Sequence, residues 1–491
     1  MDLIVGLVVI GVVLMLLALL ATGIPVAFAL AVAGALGIFV FSGSDIASST
    51  LANLPYRSTA NAALVIIPMF VLMGILAEKA RIAEDVFLIG HRLLRRFPGG
   101  LALASLFACA AFGAVSGSSV ATAATIGRMS IGQMQKYGYS TAFAAGVVAA
   151  GGTLSFLIPP SIVLVLYALL TGESVGAMLT AGIVPGLLSV LVFGILIVTR
   201  AKLNPTLVGG MPRAARVLAG TSAETATTSA SAPAAAMTRQ SLKSGMADGS
   251  GGGDFVEEEV DQEFAAMAEK RKGYAGALKI ALLFSVVIGG IYFGILTATE
   301  SAAIGAVLAL IMLLADGFRV GRKALLVNIK ESLSEAASLS SFIFAILIGA
   351  SIFTYFLVSA GVPSGFAKWI ISMDPPPALV VLLLLALMIP LGMFLDSLSV
   401  LLIVVPLAYP VVTALGYDGV WFGILMVKMV ELGLITPPVG MNAFVLAGTK
   451  GVTLEDAFRG IFWFIPTEII IVLILFSFPD LVTWLPSLMR G

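Results

Sequence analysis

Paired prolines occur twice in this sequence, each time in an apolar stretch that also carries glycine and small polar residues. The first stretch is GGTLSFLIPPS at residues 151–161, and the second is ELGLITPPVG at residues 431–440. Proline lacks a backbone N–H and its ring clashes with the preceding turn, so a proline pair unwinds a helix. The freed carbonyls suit a hard cation, and the helix that restarts offers N–H groups to an anion. The pattern therefore predicts a place where sodium and a carboxylate are held together.

Two further polar interruptions lie in long apolar stretches. Residues 98–134 are broken by SGSS at 116–119, and residues 376–415 are broken by DSLS at 396–399. Arms of about 15 residues span about 23 Å, less than the roughly 30 Å hydrocarbon layer. Basic residues stand at both ends of the first stretch, which places both ends on one side of a membrane; they are Arg95, Arg96, Arg128 and Lys136. Both stretches are therefore predicted to be re-entrant helical hairpins.

The composition places the whole chain in a membrane. Hydrophobic residues make up 59% of the 491 residues and charged residues only 11%, whereas soluble domains carry about 25% charge. Apolar runs of roughly 20 residues are typical of membrane helices. The spans predicted on this basis are residues 3–22, 23–41, 63–80, 140–170 and 176–200 in the first half, and 273–295, 297–315, 338–358, 419–448 and 459–479 in the second.

The same composition argues against other classes of function. The chain has one cysteine and one histidine, so it forms neither an internal disulfide nor a histidine-based metal site. Its net charge is zero, which predicts no nucleic-acid partner. The sequence contains no HExxH motif, no Cys/His pair and no paired Asp motif between spans, so we expect neither an enzyme nor a cofactor.

Basic residues also set the expected orientation in the bilayer. With the N-terminus outside, most of the 27 Lys and Arg residues fall on the cytoplasmic side, and both termini are periplasmic. Residues 81–97 are amphipathic and charged, which predicts a helix lying along the cytoplasmic surface, and residues 319–337 have a similar pattern. Residues 201–272 are rich in Ala, Ser, Thr and Gly and are predicted to be a disordered cytoplasmic linker.

The two halves of the chain are related by a shift of about 278 residues. GAVSGS at 113–118 matches GMFLDS at 392–397, and LIPPS at 157–161 matches ITPPV at 435–439. Each half holds five spans, an odd number, so the second copy must be inverted in the membrane. Inverted repeats with interrupted helices are the sequence sign of an alternating-access transporter.

The predicted fold is an all-α polytopic membrane protein made of two inverted repeats. The first repeat covers residues 1–200, the linker covers 201–272, and the second repeat covers 273–491. Each repeat is expected to contain five spans plus a re-entrant hairpin, with one span interrupted by its proline pair. The binding site is expected where the four interruptions meet near the middle of the membrane.

Several polar side chains near these interruptions have two interpretations. Asp396 either binds an ion or substrate at its hairpin tip or caps the arm that follows. Lys428 and Glu431 stand three residues apart on one helix face, which favours a mutual ion pair that reduces the cost of burial. The small polar residues either contact ion or substrate or only bond to backbone; they are Ser118, Ser119, Thr122, Thr436 and Asn442.

Five parts of the sequence resemble the large membrane subunit of tripartite ATP-independent periplasmic (TRAP) transporters. They are GIPVAFAL at 23–30, residues 151–161, residues 289–303, residues 392–399 and residues 431–442. The run ELGLITPPVGMN is the most specific of them. The resemblance implies an importer of organic anions in the bacterial inner membrane, driven by a sodium gradient and working by an elevator mechanism. It also implies two partners, a small four-helix membrane subunit of the Q type and a periplasmic solute-binding protein of the P type.

The resemblance further implies two sodium sites, each between a hairpin tip and a broken helix. Site 1 would use Ser116, Ser118, Ser119, Gly152, Thr153 and Pro159. Site 2 would use Asp396, Ser397, Ser399, Gly433, Thr436 and Pro437. The substrate would contact Ser119, Thr122, Ser161, Thr436, Gly440 and Asn442.

The sequence departs from the family pattern in three places. The linker is longer than usual, Ser155 stands where glycine is common, and Ala298 stands where proline is common. The change at Ser155 bears on the details of sodium site 1.

The alternative function is a self-sufficient carboxylate or ion transporter of a related elevator family, coupled to sodium or protons.

Overall fold

The computed structural model describes residues 3–209, 274–373 and 375–490. Most of the predicted linker, residues 201–272, therefore lies outside the described residues. The helices of the first half are α1 Leu3–Ala21, α2 Val26–Ser42, α3 Ser44–Thr59, α4 Ile66–Lys79, α5 Ile82–Leu94, α6 Gly100–Ser116, α7 Ser119–Lys136, α8 Thr141–Thr153, α9 Ile162–Thr171, α10 Val175–Ala181 and α11 Ile183–Leu203.

The second half repeats this order of helices. Its helices are α12 Tyr274–Phe284, α13 Gly290–Tyr292, α14 Ala298–Val320, α15 Arg322–Ser359, α16 Val362–Ser372, α17 Pro377–Phe394, α18 Ser397–Ala414, α19 Gly419–Ile435, α20 Met441–Ala447, α21 Leu454–Ile461, α22 Ile465–Ser477 and α23 Asp480–Ser487. Across the described ranges there is no named β-strand.

The register of the repeat is visible in the helix starts. Helices α7 and α18 begin at Ser119 and Ser397, and helices α8 and α19 begin at Thr141 and Gly419. Both pairs of starting residues are 278 positions apart, as the match of the proline pairs predicts. The match of 113–118 with 392–397 is one position out, because the helix starts set Ser118, rather than Gly117, opposite Asp396. The second hairpin and the second broken helix therefore repeat the first pair almost residue for residue.

The repeats exchange packing partners. Helix α2 packs on α15 of the second repeat, and its counterpart α14 packs on α4 of the first repeat. A two-fold axis that relates the repeats produces this reciprocal arrangement. Glycines allow the close approach, since an added Cβ at Gly34 would lie 2.6 Å from Phe353 N, and one at Gly305 would lie 2.6 Å from Met73 Sδ.

The hairpins and broken helices also interlock across the two repeats. The first arms pack on their own repeat's broken helix, α6 on α8 and α17 on α19. The second arms pack on the restarted helix of the other repeat, α7 on α20 and α18 on α9. These four contacts join the two hairpins and the two broken helices into one packed group.

The hairpin arms are longer than the sequence analysis predicts. Helices α6 and α7 have 17 and 18 residues, and α17 and α18 have 18 residues each. At 1.5 Å per residue each arm reaches about 26 Å, rather than about 23 Å. The difference arises because the tips are tighter than expected, with only Gly117 and Ser118 between α6 and α7.

The prediction of a separate surface helix at residues 319–337 is wrong. From Arg322 onward these residues form the first half of α15, which continues without a break for 38 residues. Their equivalents in the first repeat form α3, which is separated from α4 because the Asn61 side chain accepts a hydrogen bond from Ala63 N at 3.0 Å and starts a new helix. No proline or capping residue stands at the matching position of α15.

Seven helical stretches in the described part of the chain are long and apolar enough to cross a membrane. Six shorter apolar helices accompany them, including both halves of the first broken helix, Thr141–Phe156 and Ile162–Thr171. The chain is thus a multi-pass membrane protein.

One close approach between the repeats gives a test of this packing. Gly146 of α8 lies against Gly460 of α21, where an added Cβ at Gly146 would sit 2.7 Å from Gly460 Cα. We expect Gly460→Val to destabilise the fold by about 2 kcal/mol, through overpacking, and to lower the unfolding midpoint by several degrees in a thermal assay in detergent. Gly11→Val is the matched control, because nothing lies within 4 Å of its added Cβ. Equal midpoints for the two variants would contradict this packing.

Candidate functional site

The tips of the two hairpins open into one cavity of about 220 Å³. The first tip contributes Ser116, Gly117 and Ser118, and the second contributes Asp396, Ser397 and Leu398. Helices α4 and α15 form the opposite wall. The cavity also touches Phe156 and Ile162 at the first proline break, so three of the four predicted interruptions border it, and no residue of the second proline break lines it. It lies at the boundary between the hairpin group and the remaining helices.

The first hairpin tip is shaped by its glycine and its cap. Gly117 ends α6 in the left-handed region with φ of 61°, which favours glycine. Ser118 then caps α7, its hydroxyl accepting a hydrogen bond from Ala121 N at 3.3 Å. An added Cβ at Gly117 would lie 3.4 Å from Pro160 O and from Ile162 N. The first tip thus sits directly against the first proline break.

A chain of hydroxyl groups joins this tip to the broken helix. Ser155 donates to Thr122 Oγ1 at 2.8 Å, and Thr122 lies 2.9 Å from Ser116 Oγ. Ser155 and Thr122 are fully buried, and Ser116 is half-buried. The serine that departs from the family's glycine therefore bonds to a predicted substrate residue, Thr122, which in turn bonds to a predicted sodium ligand, Ser116.

Asn442 connects the second proline break to the first hairpin. Its amide nitrogen donates to Ser119 Oγ at 2.8 Å and to Ala149 O at 3.0 Å. An added Cβ at Gly152 would lie 3.1 Å from Ser119 O and 3.3 Å from Asn442 Nδ2. The side chain is fully buried and its Oδ1 has no hydrogen-bond partner in the described structure. Three predicted site residues, Ser119, Gly152 and Asn442, therefore meet beside an unused carbonyl oxygen.

The second tip is satisfied by its own hydrogen bonds. Asp396 Oδ1 accepts from Leu398 N and from Ser399 N, both at 3.1 Å, and Ser399 Oγ donates to Asp396 Oδ2. Asp396 is thus the cap of α18, at the position equivalent to Ser118 in the first repeat. Ser397 and Ser399 are buried. Asp396 nevertheless lines the cavity, so an acidic residue borders the space between the tips.

The second proline break is more open than the first. Pro437 is exposed, whereas Pro159 is buried. Thr436 donates to Leu432 O at 2.5 Å, and Gly433 lies against the hairpin arm, where an added Cβ would be 2.8 Å from Gly392 Cα. Within the described residues no side-chain hydrogen bond joins Gly433, Thr436 or Pro437 to Asp396, so the residues of site 2 are less closely grouped than those of site 1.

Both breaks leave carbonyls without their usual helical donors. Pro159 and Pro160 cannot donate to the carbonyls of Ser155 and Phe156, four residues earlier. Helix α9 restarts where Ser161 Oγ accepts from Leu164 N at 3.4 Å. In the second break Gly440 is left-handed, with φ of 57°, immediately before α20. Each break thus combines carbonyls that its prolines cannot pair with a helix start, the two features that a cation and an anion require.

Behind the first break lies an ion cluster, the buried triad, formed by Lys428, Glu431 and Glu468. Lys428 Nζ lies 2.8 Å from Glu431 Oε2 and 2.5 Å from Glu468 Oε2, and all three side chains are fully buried. The predicted ion pair between Lys428 and Glu431 is confirmed. Thr153 is drawn toward this cluster, with its Oγ1 3.3 Å from Glu468 Oε1.

The sequence analysis missed several of these residues. Glu468 interrupts the apolar run IPTEIIIVLILF, and a carboxylate inside a predicted span is a signal of function in itself. Glu78 and Glu335 also line the cavity. They stand near the ends of their apolar segments, where sequence alone does not distinguish a cavity wall from a solvated helix end.

The cavity is acidic. Its lining contains three carboxylates, Glu78, Glu335 and Asp396, and none of the described residues that line it is Lys, Arg or His. Glu78 accepts a hydrogen bond from Thr125 Oγ1 at 3.1 Å, and Glu335 is exposed. An anion entering this space meets negative charge unless cations accompany it.

Comparison with known proteins agrees with this architecture. The family model described as "Tripartite ATP-independent periplasmic transporter, DctM component" matches residues 13–481. The chain is similar to the C4-dicarboxylate TRAP transporter large permease protein DctM of Pseudomonas aeruginosa, at 32% identity over 93% of this chain and 92% of that protein. It is also similar to the isethionate TRAP transporter permease protein DctMQ of Oleidesulfovibrio alaskensis, at 29% identity over 89% of this chain and 60% of that protein.

The fold has a counterpart among solved structures. The crystal structure of the Alcanivorax borkumensis YdaH transporter, described as having an unusual topology, aligns with 89% of this chain and 89% of its own at a TM-score of 0.54 and 14% identity. This likeness supports the predicted all-α membrane fold with repeats, hairpins and broken helices. The family match across both halves shows that the chain belongs to the tripartite ATP-independent periplasmic transporters, as their large membrane component, and is a transporter rather than an enzyme.

Proposed function

We propose that this chain carries an organic anion, such as a dicarboxylate or a sugar acid, into the cell together with sodium ions. The observation that carries the proposal is the acidic cavity between the hairpin tips. Because no basic side chain of the described residues lines it, an anion is stable there only when cations neutralise Asp396 and its neighbours. Binding of the anion is then linked to binding of sodium, which is the basis of coupling.

The residues beside the cavity suit a sodium ion. Oxygen atoms are the ligands of hard cations. Ser116 lines the cavity, and Ser119 and Asn442 place a hydroxyl and an amide oxygen in the buried space behind it, next to Gly152. The unpartnered Oδ1 of Asn442 is such a ligand from the opposite repeat. Sodium site 1 is therefore proposed at Ser116, Ser118, Ser119, Gly152, Thr153 and Pro159, and site 2 at Asp396, Ser397, Ser399, Gly433, Thr436 and Pro437. The substrate is proposed to contact Ser119, Thr122, Ser161, Thr436, Gly440 and Asn442.

An elevator movement fits the packing of the helices. The two hairpins and two broken helices form one interlocked group, and α2, α4, α14 and α15 form a second. The cavity lies between the groups, with α4 and α15 on one side and the hairpin tips on the other. Sliding the first group along the second would carry the cavity across the membrane without opening the interlocked contacts.

Two partners and a location complete the proposal. A periplasmic binding protein delivers the substrate, and a small four-helix membrane subunit braces the large one. The longer relative named DctMQ supports the second partner, because this chain covers only 60% of it. The complex is placed in the bacterial inner membrane, with both termini of this chain in the periplasm.

Uptake by a reconstituted complex tests the coupling. Proteoliposomes that contain this chain, its small partner and its binding protein are expected to accumulate a labelled C4-dicarboxylate, sialic acid or isethionate at least tenfold faster with an inward sodium gradient than with choline. If every acid that is taken up enters equally in both conditions, sodium coupling is excluded. Uptake that persists when the binding protein is left out would instead favour a self-sufficient carrier.

The contact between Asn442 and Ser119 gives a second test. Asn442→Ala removes two hydrogen bonds and the free oxygen at site 1, so we expect at least a tenfold loss of sodium-driven uptake in the same vesicles. Asn53→Ala is the matched control, because its exposed amide bonds only to Ser49 O, at 2.8 Å, and uptake should stay within twofold of the unaltered chain. Normal uptake by the Asn442 variant would contradict its place in the site.

A further inference from the structure

The buried triad has two acidic groups and one basic group. One ammonium group, on Lys428, faces two carboxylates, on Glu431 and Glu468, and none of the three side chains is exposed to solvent. No other charged side chain in the described part of the chain forms an ion pair with them. With all three ionised, the cluster holds a net charge of −1 in the interior of a membrane protein, where an uncompensated charge is strongly unfavourable.

One oxygen of the cluster is unused. Glu431 Oε1 is buried and has no hydrogen-bond partner in the described structure, whereas its Oε2 binds Lys428. Thr153 and Glu431 are 278 residues apart, so they hold equivalent positions in α8 and α19, and these two helices are in contact. The second acidic group of the triad therefore lies where the two broken helices cross, beside the first proline break.

Thr153 links the cluster to the proposed sodium site 1. Its Oγ1 lies 2.7 Å from Ala150 O and 3.3 Å from Glu468 Oε1, and both of these atoms are acceptors. The single hydroxyl proton is shared between these two acceptors, with the shorter distance to Ala150 O, and the lone pairs of Oγ1 are left for another partner. The preceding residue, Gly152, lies against Ser119 O and Asn442. A cation bound between Thr153 and Gly152 would contact the lone pairs of Thr153 Oγ1. It would also be attracted by the carboxylates of Glu431 and Glu468 on the other side of Thr153.

We propose that the buried triad supplies the negative charge that holds a sodium ion at site 1, and that Glu468 is a positioning residue which orients the Thr153 hydroxyl toward that ion. The inference rests on the proposed sodium coupling. It assigns Glu431 and Glu468 a role without direct contact to the transported ion. Lys428 weakens this attraction, because its positive charge limits the net charge of an ionised triad to −1. It also keeps the two carboxylates together.

The charge account predicts a particular order of variants. Glu468→Gln leaves a neutral triad, and we expect the sodium concentration for half-saturation to rise about tenfold or more. The double variant Lys428→Gln/Glu468→Gln restores a net charge of −1 through Glu431, so its half-saturation should return to within about threefold of the unaltered chain. A purely structural role predicts the reverse, because the double variant loses more of the ion-pair network.

The measurement is sodium-dependent thermal stabilisation of the purified full chain in lipid nanodiscs, with choline keeping the ionic strength constant. Glu300→Gln is the control, since this exposed carboxylate bonds only to Thr297 at its own helix start, and it should leave the sodium concentration for half-saturation unchanged.

A second variant covers the case in which Glu468→Gln does not fold. Glu431→Gln makes the same charge change away from Thr153 and should also raise the sodium concentration for half-saturation. Unchanged half-saturation in the neutral variants, or a double variant that binds more weakly than Glu468→Gln, would overturn the inference. An unaltered chain that sodium does not stabilise would overturn the proposed coupling as well.

Discussion

Unwound backbone inside a membrane must find polar partners within the protein, and this requirement governs the structure. The prolines at 159–160 and 437–438 remove donors from two transmembrane helices, and no water is available in the hydrocarbon layer to replace them. At the first break the hairpin tip lies against this backbone, since an added Cβ at Gly117 would be 3.4 Å from Pro160 O and from Ile162 N. The carbonyls and helix starts that lack helical partners destabilise the fold. They are also the groups that bind a cation and an anion, so the same backbone feature affects both stability and function.

The interlocked packing follows from the same requirement. Each hairpin must reach the membrane interior, and its second arm packs on the restarted helix of the other repeat. In each hairpin the second arm also forms a hydrogen bond to the other repeat, near the end of the arm that is far from the tip. Gln135 of α7 donates to Gly451 O at 3.3 Å, beyond the second broken helix, and Tyr409 of α18 donates to Glu173 Oε1 at 2.8 Å, beyond the first. The repeats are not identical, however, because Ser118 caps one tip where Asp396 caps the other, and only the first proline pair is buried.

The sequence predicts the elements better than their contacts. Proline pairs, serine-rich tips and the 278-residue shift act locally, so the hairpins and broken helices could be located within a few residues. The sequence analysis did not predict that α15 is unbroken, because an amphipathic pattern does not show where a helix ends. In the structure the helix continues because it has no capping residue equivalent to Asn61. The bond from Asn442 to Ser119 joins residues 323 positions apart, and it depends on how the repeats dock. Glu468 was detectable as a charge in an apolar run, but its partners in the triad were not.

The central claim is that two inverted repeats bring their hairpins into the membrane from opposite faces to one shared site. In a chain whose only cysteine, Cys109, is replaced by alanine, single cysteines can be placed at the exposed positions Phe97 and Met373, just before the first and second hairpins. A membrane-impermeant maleimide is then applied to right-side-out and inside-out vesicles. The account predicts that Met373→Cys is labelled in right-side-out vesicles and Phe97→Cys only in inside-out vesicles. Labelling of both cysteines from the same face would contradict it.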